Sequence, residues 1–363
     1  MKKKRMKNRR VTSAPIEIQL LITKNCNLKC VYCSATELQN IDKEPELTNT
    51  EWVNLLTRLK KINVFKITFS GGEPFMRDDF LNILAKAKDL NFPTISLNTN
   101  GTLITEEVAK ELKKINTNKI NVSLDGDEEA NDNLRGVGSF QKSSLGIENL
   151  VKEGIIPEIL YTPLRSNYKK LYDMTGLLQL LGVREINFNS LHPTGRSKDK
   201  YNEIILDPFV EINKFQLIID ETRKKYNNIR IAEGNTFYKN LPIRYYNYKN
   251  KITLDKPKQV ALKPCSAAHA SCNITSSGWV IPCSEWFDFR GGNIRDQDIL
   301  DIWRNSKEFQ EIRNISKFTT AQIPYCRNCP YNIFCHAMCR ADAYNLFADL
   351  LAPDPFCPFW RIR

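Results

Sequence analysis

The sequence of 363 residues lacks the features that would place it in a membrane or outside the cell. It contains no run of eighteen apolar residues, so we expect neither a transmembrane helix nor a membrane partner. Residues 1–10 are basic, but no long apolar stretch follows them, because Glu17, Gln19 and Lys24 interrupt it. A secretory signal peptide is therefore not expected, and we predict a cytoplasmic protein.

Histidine is scarce, and cysteine is missing from the whole stretch 34–264. The eleven cysteines instead occur as three at 26–33 and eight at 265–357. An odd count without a signal peptide disfavours a disulfide framework and favours metal binding or redox chemistry. The sequence thus predicts two metal-binding regions with a scaffold between them. We expect loop or supporting positions, rather than catalytic roles, for the histidines, which are His192, His269 and His336.

Negative charge is in deficit, since the net charge is +12 and seven of the first ten residues are Lys or Arg. We interpret residues 1–15 as a basic, disordered arm, with electrostatic guidance of an acidic partner as the alternative. No basic stripe is interleaved with aromatic residues, so we expect no nucleic-acid partner.

Short apolar strands and amphipathic helices alternate over residues 16–189. Thr48 and Glu51 form a capping-box pattern that predicts the start of one of these helices. Strands are predicted at 16–23, 64–69, 94–98, 119–124, 157–162 and 184–189. This alternation is typical of an α/β protein with a parallel sheet, and six strand–helix units are fewer than the eight of a full barrel.

The chain divides into four parts by composition and periodicity. The last part is loop-rich, with one clear helix near 297–313 and too little apolar periodicity for a core of its own, so metal clusters could supply its cohesion. The four parts are the basic arm at 1–15, the strand–helix region at 16–206, a helix and bridging segment at 207–264, and the cysteine-rich part at 265–363.

Unusual residues follow the first four predicted strands. They are Cys26, Cys30 and Cys33, then Gly71-Gly72-Glu73-Pro74, then Asn98 to Gly101, then Ser123 to Gly126. Because active sites in parallel sheets lie at the carboxyl ends of the strands, we expect these residues at one rim. Three close thiols can hold an iron–sulfur cluster from one side and leave one iron open, and a zinc knuckle is the alternative.

The motif Cys26-x3-Cys30-x2-Cys33, with the aromatic Tyr32, resembles that of the radical S-adenosylmethionine (radical SAM) enzymes. The resemblance implies a [4Fe-4S] cluster whose fourth iron binds the amino and carboxyl groups of SAM. It also implies that the Gly-Gly-Glu-Pro motif holds the SAM ammonium. The alternative for this motif and for Asp125-Gly126 is a plain turn, and the alternative for Arg135 is a surface salt bridge. The implied SAM-binding residues are Gly71, Gly72, Glu73, Pro74, Asn98, Ser123, Asp125 and Arg135.

The late cysteines resemble the SPASM domain, an extension of some radical SAM enzymes, with Gly278-x4-Cys283 fitting its first half. The resemblance implies two auxiliary [4Fe-4S] clusters, with two four-thiolate zinc sites as the alternative. We expect neither auxiliary cluster to have an open iron, so that both serve electron transfer. The implied ligands are Cys265, Cys272, Cys283 and Cys339 for the first cluster, and Cys326, Cys329, Cys335 and Cys357 for the second.

The resemblance covers about residues 16–357 and implies a partial (β/α)6 radical SAM barrel joined to a SPASM domain. The implied enzyme cleaves SAM to a 5′-deoxyadenosyl radical, with electrons from a partner such as flavodoxin or ferredoxin. We expect hydrogen abstraction from a ribosomally made peptide and an oxidative C–C, C–S or C–O crosslink. The alternative is dehydrogenation of an alcohol on a small molecule or a protein side chain, while the Gly-Gly-Glu-Pro motif disfavours a non-catalytic electron carrier.

Glu285 and Asp288 are candidates for a catalytic base, because they follow Cys283 at the expected boundary between the domains. In sulfatase-maturing relatives an aspartate directly follows this cysteine, whereas Ser284 stands here, which counts against that activity. About fifteen residues precede the first strand, so we expect no N-terminal leader-binding domain. A precursor peptide would then need a separate partner or dock on the barrel, for instance by strand addition.

Overall fold

The computed structural model describes residues 11–208, 210–232, 260–262, 265–329 and 332–357. The strands are β1 (Glu17–Leu21), β2 (Lys66–Ser70), β3 (Thr94–Thr99), β4 (Lys119–Ser123), β5 (Glu158–Tyr161), β6 (Glu185–Phe188), β7 (Arg230–Ala232), β8 (Ser271–Ile274), β9 (Trp279–Ile281) and β10 (Gly292–Asn293). The α-helices are α1 (Thr36–Ile41), α2 (Asn49–Lys61), α3 (Phe80–Asp89), α4 (Glu106–Ile115), α5 (Glu128–Arg135), α6 (Ser139–Lys152), α7 (Leu171–Leu180), α8 (Tyr201–Ile204), α9 (Glu211–Lys225), α10 (Ile299–Asn305), α11 (Lys307–Asn314), α12 (Asn332–Cys335) and α13 (Arg340–Phe347).

All the strands belong to one sheet, in the spatial order β10-β9-β8-β1-β2-β3-β4-β5-β6-β7. Strands β1 to β7 are parallel and follow the order of the chain, with helices between them. This arrangement confirms the predicted partial barrel. The sequence pattern missed β7, which adds a seventh parallel strand beyond β6.

The two faces of the sheet differ in polarity, as the alternation of side chains along a strand requires. Ile18, Ile67 and Ile95 are in register on one face and belong to a core with side chains of α2. Gln19 and Thr68 are in register on the other face. The apolar face of the sheet therefore packs against the helices, and the polar face points into the interior of the partial barrel.

The cysteine-rich part is built onto the same sheet, because β8 pairs in parallel with β1 and β9 pairs antiparallel with β8. Its buried side chains Ile274, Val280, Trp303 and Phe309 belong to the same core as the barrel. This part therefore shares the apolar core of the barrel, whereas the sequence predicted too little apolar periodicity for a core of its own and cohesion from metal clusters. The periodicity was hard to see because β8 to β10 are two to four residues long.

Local signals account for several helix ends. The Thr48–Glu51 capping box is present at α2, and Thr105 accepts a hydrogen bond from Val108 N at the start of α4. The predicted helix near 297–313 is two helices, since Ser306 ends α10 and caps α11. No helix among the described residues is both long and apolar enough to cross a membrane.

Residues 11–15, the described end of the predicted arm, lie against the C-terminal part. Thr12 N donates to His269 O at 2.9 Å, and Trp303 Nε1 donates to Thr12 O at 2.9 Å. The arm is thus fixed over these residues, contrary to the disorder expected for them. Residues 1–10 of the predicted arm and most of the predicted bridging segment lie outside the described residues.

Replacement of Trp52, a fully buried residue of α2, tests the core on which the barrel depends. We expect Trp52→Ala to lower the free energy of unfolding by about 3–5 kcal/mol, because it leaves a large cavity. Trp52→Phe should cost less, since the indole N–H has no hydrogen-bond partner among the described residues. Urea unfolding followed by circular dichroism measures both, and equal losses for the two variants would contradict the packing argument.

Candidate active site

The loop after β1 carries the first three cysteines and lies directly against the loop after β2. Gly72 N donates to Thr23 O at 2.7 Å, and Glu73 N donates to Asn25 O at 2.8 Å. A Cβ atom on Gly71 would lie 2.5 Å from Thr23 O, and one on Gly72 would lie 2.1 Å from Asn25 O. The two glycines are therefore required for the approach of the two loops, a role that the sequence did not reveal.

Glu73 is a buried carboxylate, 1% exposed, at the rim of the barrel. Its oxygens accept hydrogen bonds from Thr99 Oγ1 and Asn100 N, each at 2.7 Å, and from Phe75 N at 3.3 Å. Burial raises the pKa of Glu73 to about 7, although these hydrogen bonds oppose the shift. No lysine, arginine or histidine of the described chain forms an ion pair with it, so the site fits a cationic ligand.

Asn100 connects Glu73 to the cysteine loop. Its Nδ2 lies 2.9 Å from Asn27 Oδ1 and 3.9 Å from Cys26 Sγ, while its backbone N–H binds Glu73. Sequence reasoning noted the motif around Asn100 but selected Asn98, which instead accepts a hydrogen bond from Asn121 Nδ2 at 2.7 Å within the sheet. Asn100 therefore bridges the carboxylate of Glu73 and the thiol of Cys26 at the rim.

The three thiols of the loop suit a metal cluster. Burial raises the pKa of Cys26 and raises that of Cys30 to about 11. Cys33 adds to both shifts, so the three side chains lie near one another. Thiols with raised pKa values ionise readily only when a metal supplies positive charge, and the donor set therefore fits an iron–sulfur cluster.

A buried group of three side chains fixes the cysteine loop to the end of β4. Arg135 Nε donates to Asp125 Oδ2 at 2.6 Å, Arg135 Nη2 donates to Tyr32 Oη at 2.6 Å, and the Tyr32 hydroxyl donates to Asp125 Oδ2. The second carboxylate oxygen of Asp125 accepts from Thr162 N at 2.8 Å. Asp125 and Arg135 are thus engaged with groups of the protein itself, and their contact with SAM stays a prediction. The half-buried Ser123, at the end of β4, makes no side-chain hydrogen bond with any described residue.

The loop after β6 closes the other side of the cysteine loop. Arg196 N donates to Cys33 O and Arg196 Nη1 donates to Cys30 O, each at 3.1 Å. A Cβ atom on Gly195 would lie 2.4 Å from Cys33 O, so glycine is required there. The sequence shows a Thr-Gly-Arg motif at this place, and the structure gives it a role in positioning two of the cysteines.

The cysteines predicted for the second auxiliary cluster come together in the structure. Burial raises the pKa of Cys326 to about 12, and the thiols of Cys357 and Cys329 contribute to that shift. Cys357 and Cys326 likewise raise the pKa of Cys335, which burial already raises. These four cysteines therefore lie near one another, and their ligation of one cluster stays a prediction.

The four cysteines predicted for the first auxiliary cluster have different surroundings. The thiol of Cys283 is influenced by Cys265 and by Asp342, and the thiol of Cys339 is influenced by Asp342 and His192. Cys272 lies in β8 and is fully buried in the core. Cys265 lies near Cys283, and the ligation of a cluster by these two cysteines with Cys272 and Cys339 stays a prediction.

The spacing of the thiols bears on the zinc alternative. Four thiolates on one zinc ion lie about 4 Å apart, since each Zn–S bond is about 2.3 Å long. Among the described residues, which include all the cysteines, no three thiol sulfurs lie within 4.8 Å of one another. No group of three thiols is thus preformed for a single zinc ion among the described residues.

The two predicted base candidates differ in burial. Glu285 accepts a hydrogen bond from Ser284 Oγ at 3.2 Å, and burial raises its pKa while the nearby His192 opposes the shift. Asp288 is exposed to solvent between two buried phenylalanines. The catalytic role of either residue stays a prediction, and Glu285 is the one that lies beside the cysteines.

The Asp125–Arg135 ion pair can be tested by its contribution to stability. We expect Asp125→Asn to lower the free energy of unfolding by about 3–5 kcal/mol, because Arg135 is left as a buried, unpaired charge. Glu111→Gln, which removes an exposed carboxylate of α4 paired with Lys114, should change it by less than about 1 kcal/mol. Denaturant unfolding measures both, and a small effect of Asp125→Asn would show that the ion pair is not structural.

Comparison with known proteins identifies the family. Residues 20–170 match the radical SAM superfamily, and residues 265–330 match SPASM, an iron–sulfur cluster-binding domain. The chain is 29% identical over 356 residues to AdoMet-dependent heme synthase of Methanosarcina barkeri, covering 96% of this chain and 97% of that protein. It is 26% identical over 350 residues to mycofactocin maturase MftC of Mycobacterium tuberculosis, covering 95% and 83%.

A solved structure shows the same fold. SuiB of Streptococcus suis, bound to its precursor peptide SuiA, superposes with a TM-score of 0.75 at 19% identity, covering 96% of this chain and 76% of SuiB. The two domain matches identify SAM and iron–sulfur clusters as the cofactors. The chain therefore contains a domain of the radical SAM superfamily and a SPASM iron–sulfur cluster-binding domain.

Proposed function

We propose that this enzyme installs an oxidative C–C, C–S or C–O crosslink in a ribosomally made peptide, using SAM and three [4Fe-4S] clusters. The observation that carries its catalytic part is the buried, unpaired carboxylate of Glu73 beside the thiols of the cysteine loop. A cluster held there by Cys26, Cys30 and Cys33 leaves one iron for SAM. Bound SAM supplies a carbon radical that takes a hydrogen atom from an unactivated carbon.

The residues of the chain hold and orient this cofactor. Ionised Glu73 pairs with the SAM ammonium, and Gly71, Gly72 and Pro74 keep that carboxylate against the cysteine loop. Ser123 has a hydroxyl without a partner among the described residues at the same rim, which suits a polar contact with SAM. Asn100 aligns Glu73 with the cluster ligand Cys26.

A peptide substrate is supported by the fold and by charge. The SuiB structure that shares this fold holds a precursor peptide. The net charge of +12 favours an acidic partner, and the described sheet ends at the edge strands β7 and β10, where an extended peptide can add a strand. The odd number of cysteines suits a reducing compartment such as the cytoplasm, where flavodoxin or ferredoxin can supply electrons.

Crosslinking removes two hydrogen atoms from the peptide. The radical takes one of them, and the enzyme must accept the proton and the electron of the other. The first leaves as a hydrogen atom, and the second leaves as a proton and an electron. Glu285 suits acceptance of the proton, because it is half-buried beside Cys283 and its raised pKa makes it a better base. An auxiliary cluster held by the cysteines of the SPASM domain would accept the electron.

A second candidate function is a reaction on a tetrapyrrole. The similarity to AdoMet-dependent heme synthase extends over 97% of that protein, more than over the maturase MftC. This candidate keeps the same use of SAM and changes only the substrate. It therefore predicts the same dependence on the cysteine loop.

Substrate assays separate the two candidates. We expect reduced, reconstituted enzyme to form 5′-deoxyadenosine from SAM, and Cys30→Ala to abolish it. Co-expression with a peptide encoded by a neighbouring small reading frame should yield a product lighter by two hydrogen atoms in mass spectrometry. Turnover of a porphyrin precursor with no change in the peptide would favour the second candidate, and absence of 5′-deoxyadenosine in every assay would refute both.

The pKa of Glu73 predicts a pH dependence of SAM binding. Below about pH 7 the carboxyl group is protonated and cannot pair with the ammonium, so affinity should fall by up to roughly tenfold per pH unit on acidification. Equilibrium dialysis with labelled SAM at several pH values measures this. Glu73→Gln should bind weakly at every pH and lose the dependence, while Glu111→Gln should keep it; a persistent dependence in Glu73→Gln would assign it to another group.

A further inference from the structure

Arg340 is a buried cation that has no carboxylate partner in the described part of the chain. It is the first residue of α13, directly follows Cys339, and is 6% exposed. No Asp or Glu of the described residues lies within ion-pair distance of its guanidinium. A buried charge without a partner is costly, so the position of Arg340 requires a compensating negative group.

Two of the three guanidinium nitrogens of Arg340 have partners. Nη1 donates to Ala352 O at 2.6 Å and to Leu350 O at 3.2 Å, and Nη2 donates to Ala337 O. Nε is buried and has no hydrogen-bond partner among the described residues. A buried donor without a partner marks a place for a water molecule, an ion or a bound group.

The charge of Arg340 acts on the second set of auxiliary cysteines. Burial raises the pKa of the Cys326 thiol to about 12, and the guanidinium of Arg340 opposes this shift. Although Arg340 follows Cys339 in the chain, the acids Asp342 and Asp354 are among the main charges that act on the thiol of Cys339, and Arg340 is not. The guanidinium therefore influences Cys326 more than the cysteine that precedes it.

Asp354 is the acid on which the charge of Arg340 acts, but its oxygens bind other groups. Oδ2 accepts a hydrogen bond from Cys339 N at 2.9 Å, and Oδ1 accepts one from Phe356 N at 2.8 Å. Asp354 forms no ion pair with Arg340. The described chain thus leaves the guanidinium beside thiols and without an acid in contact.

We propose that Arg340 is the positively charged neighbour of the second auxiliary cluster and donates its free Nε–H to a sulfur atom of that cluster. The cysteines that would hold this cluster lie near one another; they are Cys326, Cys329, Cys335 and Cys357. Four thiolates give a [4Fe-4S] cluster a net negative charge, which would neutralise the buried guanidinium. The inference rests on the proposed function for the presence of the cluster.

The consequence for electron transfer follows from the charge. The reduction potential of an iron–sulfur cluster depends on net charge and on hydrogen bonds to its sulfurs, and a nearby cation raises it. Arg340 therefore makes the second auxiliary cluster a better acceptor of the electron that the proposed crosslinking releases. If Arg340 only fixed the chain at Leu350 and Ala352, its loss would lower stability without changing the potential.

The first experiment measures the reduction potentials of the clusters in full-length, anaerobically reconstituted enzyme by titration monitored with electron paramagnetic resonance. The signal that changes in Cys326→Ala belongs to the second auxiliary cluster. We expect Arg340→Gln to weaken the electron affinity of this cluster by roughly tenfold, which is about 59 mV for a one-electron couple. Arg340→Lys keeps the positive charge and should shift the potential less.

Arg327→Gln is the matched control. Arg327 directly follows Cys326, but it is exposed and donates to Ala321 O at 3.0 Å, so its loss should leave the potential unchanged. An unchanged potential in Arg340→Gln, with the iron content of three cubes at about twelve per chain, would show a purely structural role and overturn the proposal.

The second experiment detects the N–H contact in the wild-type enzyme, so it does not depend on a variant that folds. Enzyme with ¹⁵N in its arginine guanidinium groups is reduced and compared with unlabelled enzyme by pulsed electron paramagnetic resonance. We expect a nitrogen coupling on the second auxiliary cluster that changes with the label and is absent from Arg340→Lys.

Identical spectra of this cluster in labelled and unlabelled enzyme would show that the N–H binds another group, such as water, and would overturn the proposal. Neither measurement uses a substrate, so failure of the peptide or tetrapyrrole assays does not affect it. An enzyme that holds only about four irons would refute both this proposal and the three clusters of the proposed function.

Discussion

The buried ion pair between Asp125 and Arg135 is the interaction on which the active rim depends. Taking both charges out of water is costly, and such a pair is tolerated only where its remaining donors and acceptors are satisfied. Here Thr162 N binds one carboxylate oxygen, while Tyr32 and Arg135 bind the other. Tyr32 lies within the cysteine loop, so one ion pair ties the loop to the end of β4 and to α5. The pair therefore helps to position the loop that carries Cys26, Cys30 and Cys33.

Glu73 is a second buried carboxylate at the same rim, and it differs from Asp125 in having no cationic partner among the described residues. Asp125 has an arginine beside it, whereas Glu73 has hydrogen-bond donors but no cation within the described chain. Two glycines hold it against the cysteine loop, where its pKa of about 7 records the cost of its charge. A bound ammonium would remove that cost. The two acids therefore differ in their partners. Asp125 is neutralised by Arg135, whereas the charge of Glu73 has no cationic partner among the described residues.

The sequence was sufficient for features set by local rules. Helix caps such as Thr48 and the strand–helix alternation depend on near neighbours, and the rim could be located because parallel strands end together. The pairing of β8 with β1 joins residues about 250 positions apart, and no local pattern encodes it. That register alone decides which way Cys272 faces. The engagement of Arg135 by Asp125 was hidden for a similar reason, since a motif does not show which of its residues bind one another.

The continuity of the sheet also changes the relation between the clusters and the fold. Since Trp303 and Phe309 pack in the core of the barrel, the C-terminal part has an apolar anchor that is independent of metal. The apolar packing of this part does not itself require a bound cluster. A strand shared with β1 also fixes the distance between the auxiliary cysteines and the first cysteine loop, because both follow from one register. The pairing of β8 with β1 therefore sets both the position of the cysteine-rich part on the barrel and the register that places Cys272 beside Ile18.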